Sequence, residues 1–301
     1  MAEFGVLTMA TSNDYLKALG LSLSIRKHNP DVKIAIACYK DVSDKIGKYF
    51  DYVIEQRHDL KGFEHKVYLD EYSPFDKTFF FDADVLFFKS LNPVYEEWKG
   101  RAYTARGVYE SVGVSSFGLD FEIALAKIGK DKLVRIGGAG HAYFEKPACK
   151  DVFNLARKIT KDYTNYANPC KYADEDVMAI AMTILDLKPM KTVDFQSRLL
   201  HAIPGSFRMN VVEGVCTFSK KENQFKALEK GRQVSPYMVH FATREGALVY
   251  RRALSQIFKE NGIAMEYELW CLAFSDLKST FVIKLKKSVK KFFNWCAFKN
   301  D

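Results

Sequence analysis

Two aspartates, Asp82 and Asp84, break a run that is otherwise apolar: Thr78-Phe79-Phe80-Phe81-Asp82-Ala83-Asp84-Val85-Leu86-Phe87-Phe88. Residues i and i+2 of an extended chain point the same way, so both carboxylates can face one cation. Two carboxylates together with phosphate oxygens suit a hard divalent ion, Mn²⁺ or Mg²⁺. A surface turn also holds paired aspartates, but surface turns are not normally flanked by three phenylalanines on one side and Val-Leu-Phe-Phe on the other.

The surrounding pattern explains how such a pair is presented. Phe4–Ala10 reads as an apolar strand, followed by Thr11-Ser12-Asn13-Asp14, which offers helix N-cap side chains. Helical spacing over Tyr15–His28 ends at Asn29-Pro30. Strands are expected at Val32–Tyr39, Tyr52–Ile54 and Thr78–Phe81, with helices at Ser43–Tyr49 and Gly62–Tyr72. Strands alternating with helices imply an α/β fold with a mostly parallel sheet covered on both faces. The aspartates then stand at the carboxyl end of a strand, where open α/β sheets place ligands. Further on, Asp120–Gly129, Lys146–Tyr163 and Asp174–Leu185 read as helices, and Met238–Phe241 as a short strand. Helices follow at Glu245–Glu260 and from Glu266 onward. The expected organisation is one domain over residues 1–275 and a basic helix over residues 276–301.

Other candidates have ordinary readings beside functional ones. Asp174-Glu175-Asp176 is either an acid-decorated helix N-terminus, which the macrodipole favours, or a set of carboxylates facing a substrate. Gly137–Gly140 is either a turn or a backbone passing close to a ligand. His240 is either a core histidine or a ligand, whereas His28, His58, His65 and His201 read as structural or surface residues.

The segments around these residues resemble, in family order, the GT-A nucleotide-sugar glycosyltransferases. The resemblance is greatest to glycosyltransferase family 8, the lipooligosaccharide galactosyltransferase and glycogenin type, and covers roughly residues 4–245. It implies a Rossmann-like sheet with a helical C-terminal extension. It also implies transfer of a hexose from a UDP-sugar to a hydroxyl acceptor on a glycan or glycolipid, with retention. By the same resemblance Ala10, Thr11 and Tyr15 touch uracil and ribose, and Lys66 lies near the donor. Phe81-Asp82-Ala83-Asp84-Val85-Leu86 is similar to the metal-binding Asp-x-Asp, and His240 in Met238-Val239-His240-Phe241 completes the ligand set. Tyr172-Ala173-Asp174-Glu175-Asp176 resembles the acidic segment that faces the sugar, with Glu175 in place of the usual glutamine. Asp174 or Asp176 would be the nucleophile if a covalent intermediate forms; front-face attack needs none. Gly138-Ala139-Gly140-His141 departs from the family's Asn-Ser-Gly stretch, and Ala242-Thr243-Arg244-Glu245 replaces Lys-Pro-Trp, with Arg244 a candidate for the missing positive charge. Two other readings are a nucleotide-sugar-binding protein without turnover, and an Asp-x-Asp phosphatase. In the phosphatases the motif normally follows the first strand, and here a long α/β stretch precedes it.

Composition narrows the class. Hydrophobic residues make up 48% and charged residues 27% of the 301, which excludes a disordered chain or a fibre. No run of 18 or more apolar residues occurs, and no secretory signal is expected from Met1–Ala10. The six cysteines are scattered without Cys-x-x-Cys pairs, so reduced thiols and a cytoplasmic location are expected. Of the net charge of +8, Lys278–Asp301 carries +6, from seven lysines and one aspartate. A nearly neutral body with a basic tail argues against nucleic acid as partner. On a helical wheel Phe281, Val282, Leu285, Val289, Phe292, Phe293 and Cys296 share one arc and five lysines oppose them. That pattern implies peripheral attachment to an anionic membrane surface, with a helix packed on the domain as the ordinary alternative.

Overall fold

A computed structural model describes residues 3–137, 140–192, 194–197, 202–203, 205–220, 231–241 and 246–278. Arg244, His201, Gly138, Ala139 and the basic tail lie outside them. The described chain divides into two units: Met1–Ala83 with Ser90–Phe195, and Asp84–Lys89 with Gln196–Asp301.

In chain order the first unit contains β1 (Gly5–Met9), α1 (Tyr15–His28), β2 (Lys33–Cys38), α2 (Lys40–Ile46) and β3 (Tyr52–Glu55). A 3-10 segment at Gly62–Tyr68 leads into α3 (Leu69–Tyr72) and β4 (Lys77–Phe81). After β5 (Val85–Phe87), which belongs to the second unit, come α4 (Asn92–Trp98), β6 (Tyr103–Thr104), β7 (Gly107–Glu110) and α5 (Phe121–Ile128). Then follow β8 (Leu133–Ile136), β9 (His141–Glu145), α6 (Lys150–Lys161), α7 (Tyr163–Tyr166) and α8 (Asp174–Ile184). The second unit continues with β10 (Gln196–Ser197), β11 (Arg208–Asn210), β12 (Val215–Ser219), β13 (Gln233–Val234), β14 (Met238–His240) and α9 (Ala247–Glu260).

The main sheet of the first unit has the order β3-β2-β1-β4-β9-β6. β3, β2, β1 and β4 are mutually parallel, β9 alone runs antiparallel between β4 and β6, and β6 shares the direction of the first four, so the fold is α/β with a mostly parallel sheet. The pleat sends alternate phenylalanines of β4 to opposite faces. Phe80 joins a core with Leu7, Ala35 and Phe144, packed under Phe153 of α6 and Val177 and Ile180 of α8. Phe79 and Phe81 face the other way, with Phe79 at 5.8 Å from Trp98 of α4 and Phe81 at 6.4 Å from Phe195. With both faces buried, β4 reads as an unbroken apolar run rather than an alternating one.

The expected elements differ from the observed ones where local chemistry intervenes. Asp14 does not cap α1; its carboxylate turns back to accept from Thr11 N and Thr11 Oγ1 at 2.6 and 2.8 Å, which folds the loop after β1. The helix expected from Lys146 begins at Lys150, because Pro147 has no N–H and holds the residue before it out of the helical region. Gly62–Tyr72 is helical in two pieces, 3-10 and then α. Asp120 does cap α5, accepting from Ile123 N at 3.1 Å, and Gly129 ends it at φ 65°.

In the second unit, β10, β14 and β5 form one sheet and β11, β12 and β13 another. β5 is antiparallel to β14, in the register Val85↔His240, Leu86↔Val239 and Phe87↔Met238. Residues 266–278 are helical, with Leu269 and Ala273 buried and Tyr267, Trp270, Phe274 and Leu277 exposed. Among the described residues no helix is long and apolar enough to cross a membrane.

Candidate metal and sugar-nucleotide site

β1 and β4 are parallel neighbours, in the register Gly5↔Thr78, Val6↔Phe79 and Leu7↔Phe80, so they leave the sheet at the same edge. Thr8 Oγ1 donates to Phe81 O at 2.8 Å, tying the two ends together. Ala10 is buried there, with its N–H on Ala37 O at 3.2 Å, whereas Thr11 is exposed and Tyr15 is half-buried beneath Lys45 Nζ, 4.8 Å from the ring centroid. Asp82 emerges from β4 at this edge, and its N–H is fixed by Gly140 O at 2.9 Å. The buried Gly140 carbonyl therefore orients the first aspartate through the backbone, which the glycine pattern alone did not reveal.

Lys66 and Asp174 converge on Asp82 from the 3-10 segment and from the first turn of α8. Lys66 Nζ lies 2.9 Å from Asp82 Oδ1 and 3.3 Å from Asp174 Oδ2. Burial opposes the charge on Lys66, but the two carboxylates outweigh it, and its ammonium is held well above the ordinary lysine range. Burial pushes the Asp174 carboxyl up, against the pull of Lys66. Glu175 lines a small cavity together with Lys66, Tyr103, His141 and Asp174. His141 opens β9 opposite Phe81 and is buried against Phe195, with ring centroids 5.1 Å apart. Sequence reasoning assigned it no role, because one buried histidine in an apolar strand carries no signal of its own.

Asp176 is separated from this group. Two positions along a helix place it on another face, and its Oδ2 accepts from Ser115 Oγ at 3.0 Å and from Tyr163 OH at 3.4 Å. Ser115 Oγ in turn accepts from Phe117 N and Leu119 N, so Asp176 pins the loop before α5. Burial pushes its carboxyl up to about 6 from an ordinary 3.8, partly offset by the Ser115 and Tyr163 hydrogen bonds. An acid whose folded-state pKa is raised takes up its proton more readily in the folded state. Its contribution is therefore fully present below the unfolded value and is lost as pH rises through about 6. Asp176→Asn keeps an acceptor oxygen without the charge. Its unfolding midpoint should exceed that of the wild type above pH 6, by the equivalent of roughly 2–3 kcal/mol, and match it below pH 4. A constant difference across pH 4–8 in thermal melts would contradict this.

The second unit holds Asp84 and His240. β5 begins directly after Asp84, and its pairing with β14 sets His240 beside that aspartate: His240 Nε2 lies 3.0 Å from Asp84 Oδ1. His240 is buried, and its other ring nitrogen, Nδ1, lies 2.9 Å from Gln196 Nε2 on β10. Phe241 N donates to Asp84 O at 2.8 Å, which fixes the backbone at that aspartate. The unit boundary falls at the Ala83–Asp84 peptide, so a single buried residue, Ala83, links the two aspartates covalently. Asp82, Asp84 and His240 each offer one ligand atom, and these atoms all lie within 4.8 Å of one another. Two carboxylates and an imidazole fit a divalent cation such as Mn²⁺ or Mg²⁺. Gln196 was not found from the sequence: it sits in a two-residue strand, too short for any periodicity.

No protein-family model matches the chain, and no curated protein matches it. Solved structures do match. The galactosyltransferase LgtC, in a complex with donor and acceptor sugar analogues, is similar at a TM-score of 0.52 and 14% identity, over 83% of this chain and 95% of that one. The bifunctional glycosyltransferase WbbM, in its apo structure, gives 0.56 at 11% identity, over 90% of this chain and 52% of that one. The chain has the GT-A glycosyltransferase fold.

Proposed function

We propose that the protein is a metal-dependent glycosyltransferase of the family 8 type. It would move a hexose from a UDP-sugar to a hydroxyl on a glycan or glycolipid, with retention. The carrying observation is the Asp82, Asp84 and His240 donor set on a GT-A fold. These three residues would hold Mn²⁺ or Mg²⁺, whose contribution is Lewis-acid neutralisation of charge on the leaving diphosphate. Lys66, kept cationic between two carboxylates, adds a fixed positive charge on the donor side. Asp174, together with Lys66 and Glu175, lines the cavity assigned to the sugar, and Asp174 is the carboxylate available to hydroxyls or to the anomeric carbon. Asp176 is a positioning residue for the Ser115 loop. Ala10, Thr11 and Tyr15 supply the small, hydrogen-bonding and aromatic groups that a uracil and a ribose require, Gly140 holds the Asp82 backbone in place, Ala83 lies on the donor side between the two aspartates, and Arg244 adds charge there.

This reading requires uridine selectivity. Calorimetry with Mn²⁺ present should give tighter binding for UDP than for GDP or CDP; a clear preference for GDP would overturn the base assignment.

The tail supports a membrane role for the same enzyme, because a lipid-linked acceptor and an enzyme held on one surface meet in two dimensions. The exposed Tyr267, Trp270, Phe274 and Leu277 lie on the helix that leads into the basic tail. Liposome co-sedimentation should show the full chain on phosphatidylglycerol vesicles, with release by salt and loss in a chain ending at Asp276. Equal binding by both chains would remove the membrane role.

A further inference from the structure

Nothing assigned above explains Gln196. It is 4% exposed, on β10, in parallel register with β14, and its amide nitrogen meets His240 Nδ1 at 2.9 Å. Its Oε1 is buried with no hydrogen-bond partner among the described residues. A buried carbonyl left without a partner costs on the order of 1–3 kcal/mol, so its retention calls for a physical reason.

The chemistry of the ring supplies that reason. An amide NH₂ only donates, so Nδ1 of His240 accepts here and the ring proton is on Nε2, directed at Asp84 Oδ1 3.0 Å away. An imidazole in that tautomer cannot give Nε2 to a cation. Ligation through Nε2 moves the ring proton to Nδ1, which then needs an acceptor, and a donor amide facing it would be repulsive. Turning the Gln196 amide over places Oε1, the atom now unsatisfied, against Nδ1–H. The side chain occupies the same volume in both orientations.

We infer that Gln196 is the positioning residue of the cation site: its amide serves one His240 tautomer as a donor and, reversed, the ligating tautomer as an acceptor. Ligand histidines commonly depend on such a partner at the second nitrogen, and its removal lowers metal affinity by about 10–100-fold. The inference rests on the proposed cation site and extends it to a residue that touches neither ion nor substrate.

The test is Mn²⁺ affinity, read as free Mn²⁺ by electron paramagnetic resonance at fixed UDP, for the wild type, Gln196→Leu and Gln196→Glu. Gln196→Leu fills the space without an acceptor and should bind at least 10-fold more weakly. Gln196→Glu keeps an acceptor fixed toward Nδ1 and should bind within about 3-fold of the wild type, or more tightly. Equal affinity in all three, or equal weakening in both variants, would overturn the role of the acceptor. No binding by the wild type would instead remove the cation site itself. Should Gln196→Leu fail to fold, ¹⁵N-edited spectra of the wild-type histidines decide. His240 should carry its proton on Nε2 without metal and on Nδ1 with UDP and diamagnetic Mg²⁺; one unchanged tautomer would overturn the inference.

Discussion

Asp84→Asn should lower UDP-sugar turnover by at least about 10²–10³-fold while leaving the fold intact. The asparagine Oδ1 can still accept from His240 Nε2, which replaces the 3.0 Å contact and keeps the β5–β14 register. Under the proposed function, what would disappear is one of the two negative charges that would hold a divalent cation, and with it the neutralisation of the leaving diphosphate. Loss of one preorganised charge partner at a reacting centre commonly lowers turnover on that scale. Thermal melting near the wild-type midpoint, together with loss of turnover that excess Mn²⁺ restores only in part, is the expected pair of observations. Turnover within a few-fold of the wild type, and insensitive to EDTA, would remove the metal from the mechanism.

The second large effect concerns Lys66. Its ammonium is flanked by Asp82 and Asp174 in a setting that is 14% exposed on the lysine side and 6% on the Asp174 side. Lys66→Met fills the volume but leaves two carboxylates facing each other with no counter-charge. Breaking a buried ionic arrangement in this way typically costs roughly 3–5 kcal/mol of folding stability. The sign of its pH dependence follows. Lys66 in the wild type stays charged throughout the neutral range, so its stabilisation is constant there. In the variant the raised Asp174 carboxyl gains stability by taking up a proton, so the deficit should shrink as pH falls from 8 to 5. Lys66→Arg retains the charge and should recover most of the stability. A Lys66→Met protein as stable as the wild type at pH 8 would contradict the ionic account of this cluster.

How much of this was legible in the sequence depends on how local the signal is. Asp82 and Asp84 stood out because carboxylates do not belong in an apolar run unless something binds them, and the parallel β1–β4 core that presents them follows from strand and helix alternation. The antiparallel β9 and its neighbour β6 did not stand out: His141–Glu145 is buried nearly throughout and has no period of two. Lys66 and Asp174 needed a family resemblance, since nothing in their own neighbourhoods points to Asp82. Asp174 and Asp176 looked equivalent as letters. The helix separates them, turning one toward Lys66 and the other into the Ser115 loop. Gln196 and Gly140 act through a side-chain amide and a main-chain carbonyl whose partners are distant in sequence, and such contacts leave no trace in spacing.

The central claim is that Asp82, Asp84 and His240 bind a cation that in turn holds a uridine diphosphate. Its most direct test is a calorimetric titration of UDP into the full chain, with Mn²⁺ and again with EDTA, repeated for Asp84→Asn. Saturable UDP binding that appears with Mn²⁺, falls at least 10-fold with EDTA and is equally weak in Asp84→Asn is the predicted result. UDP binding of equal strength with and without the ion, or none in its presence, would contradict the account.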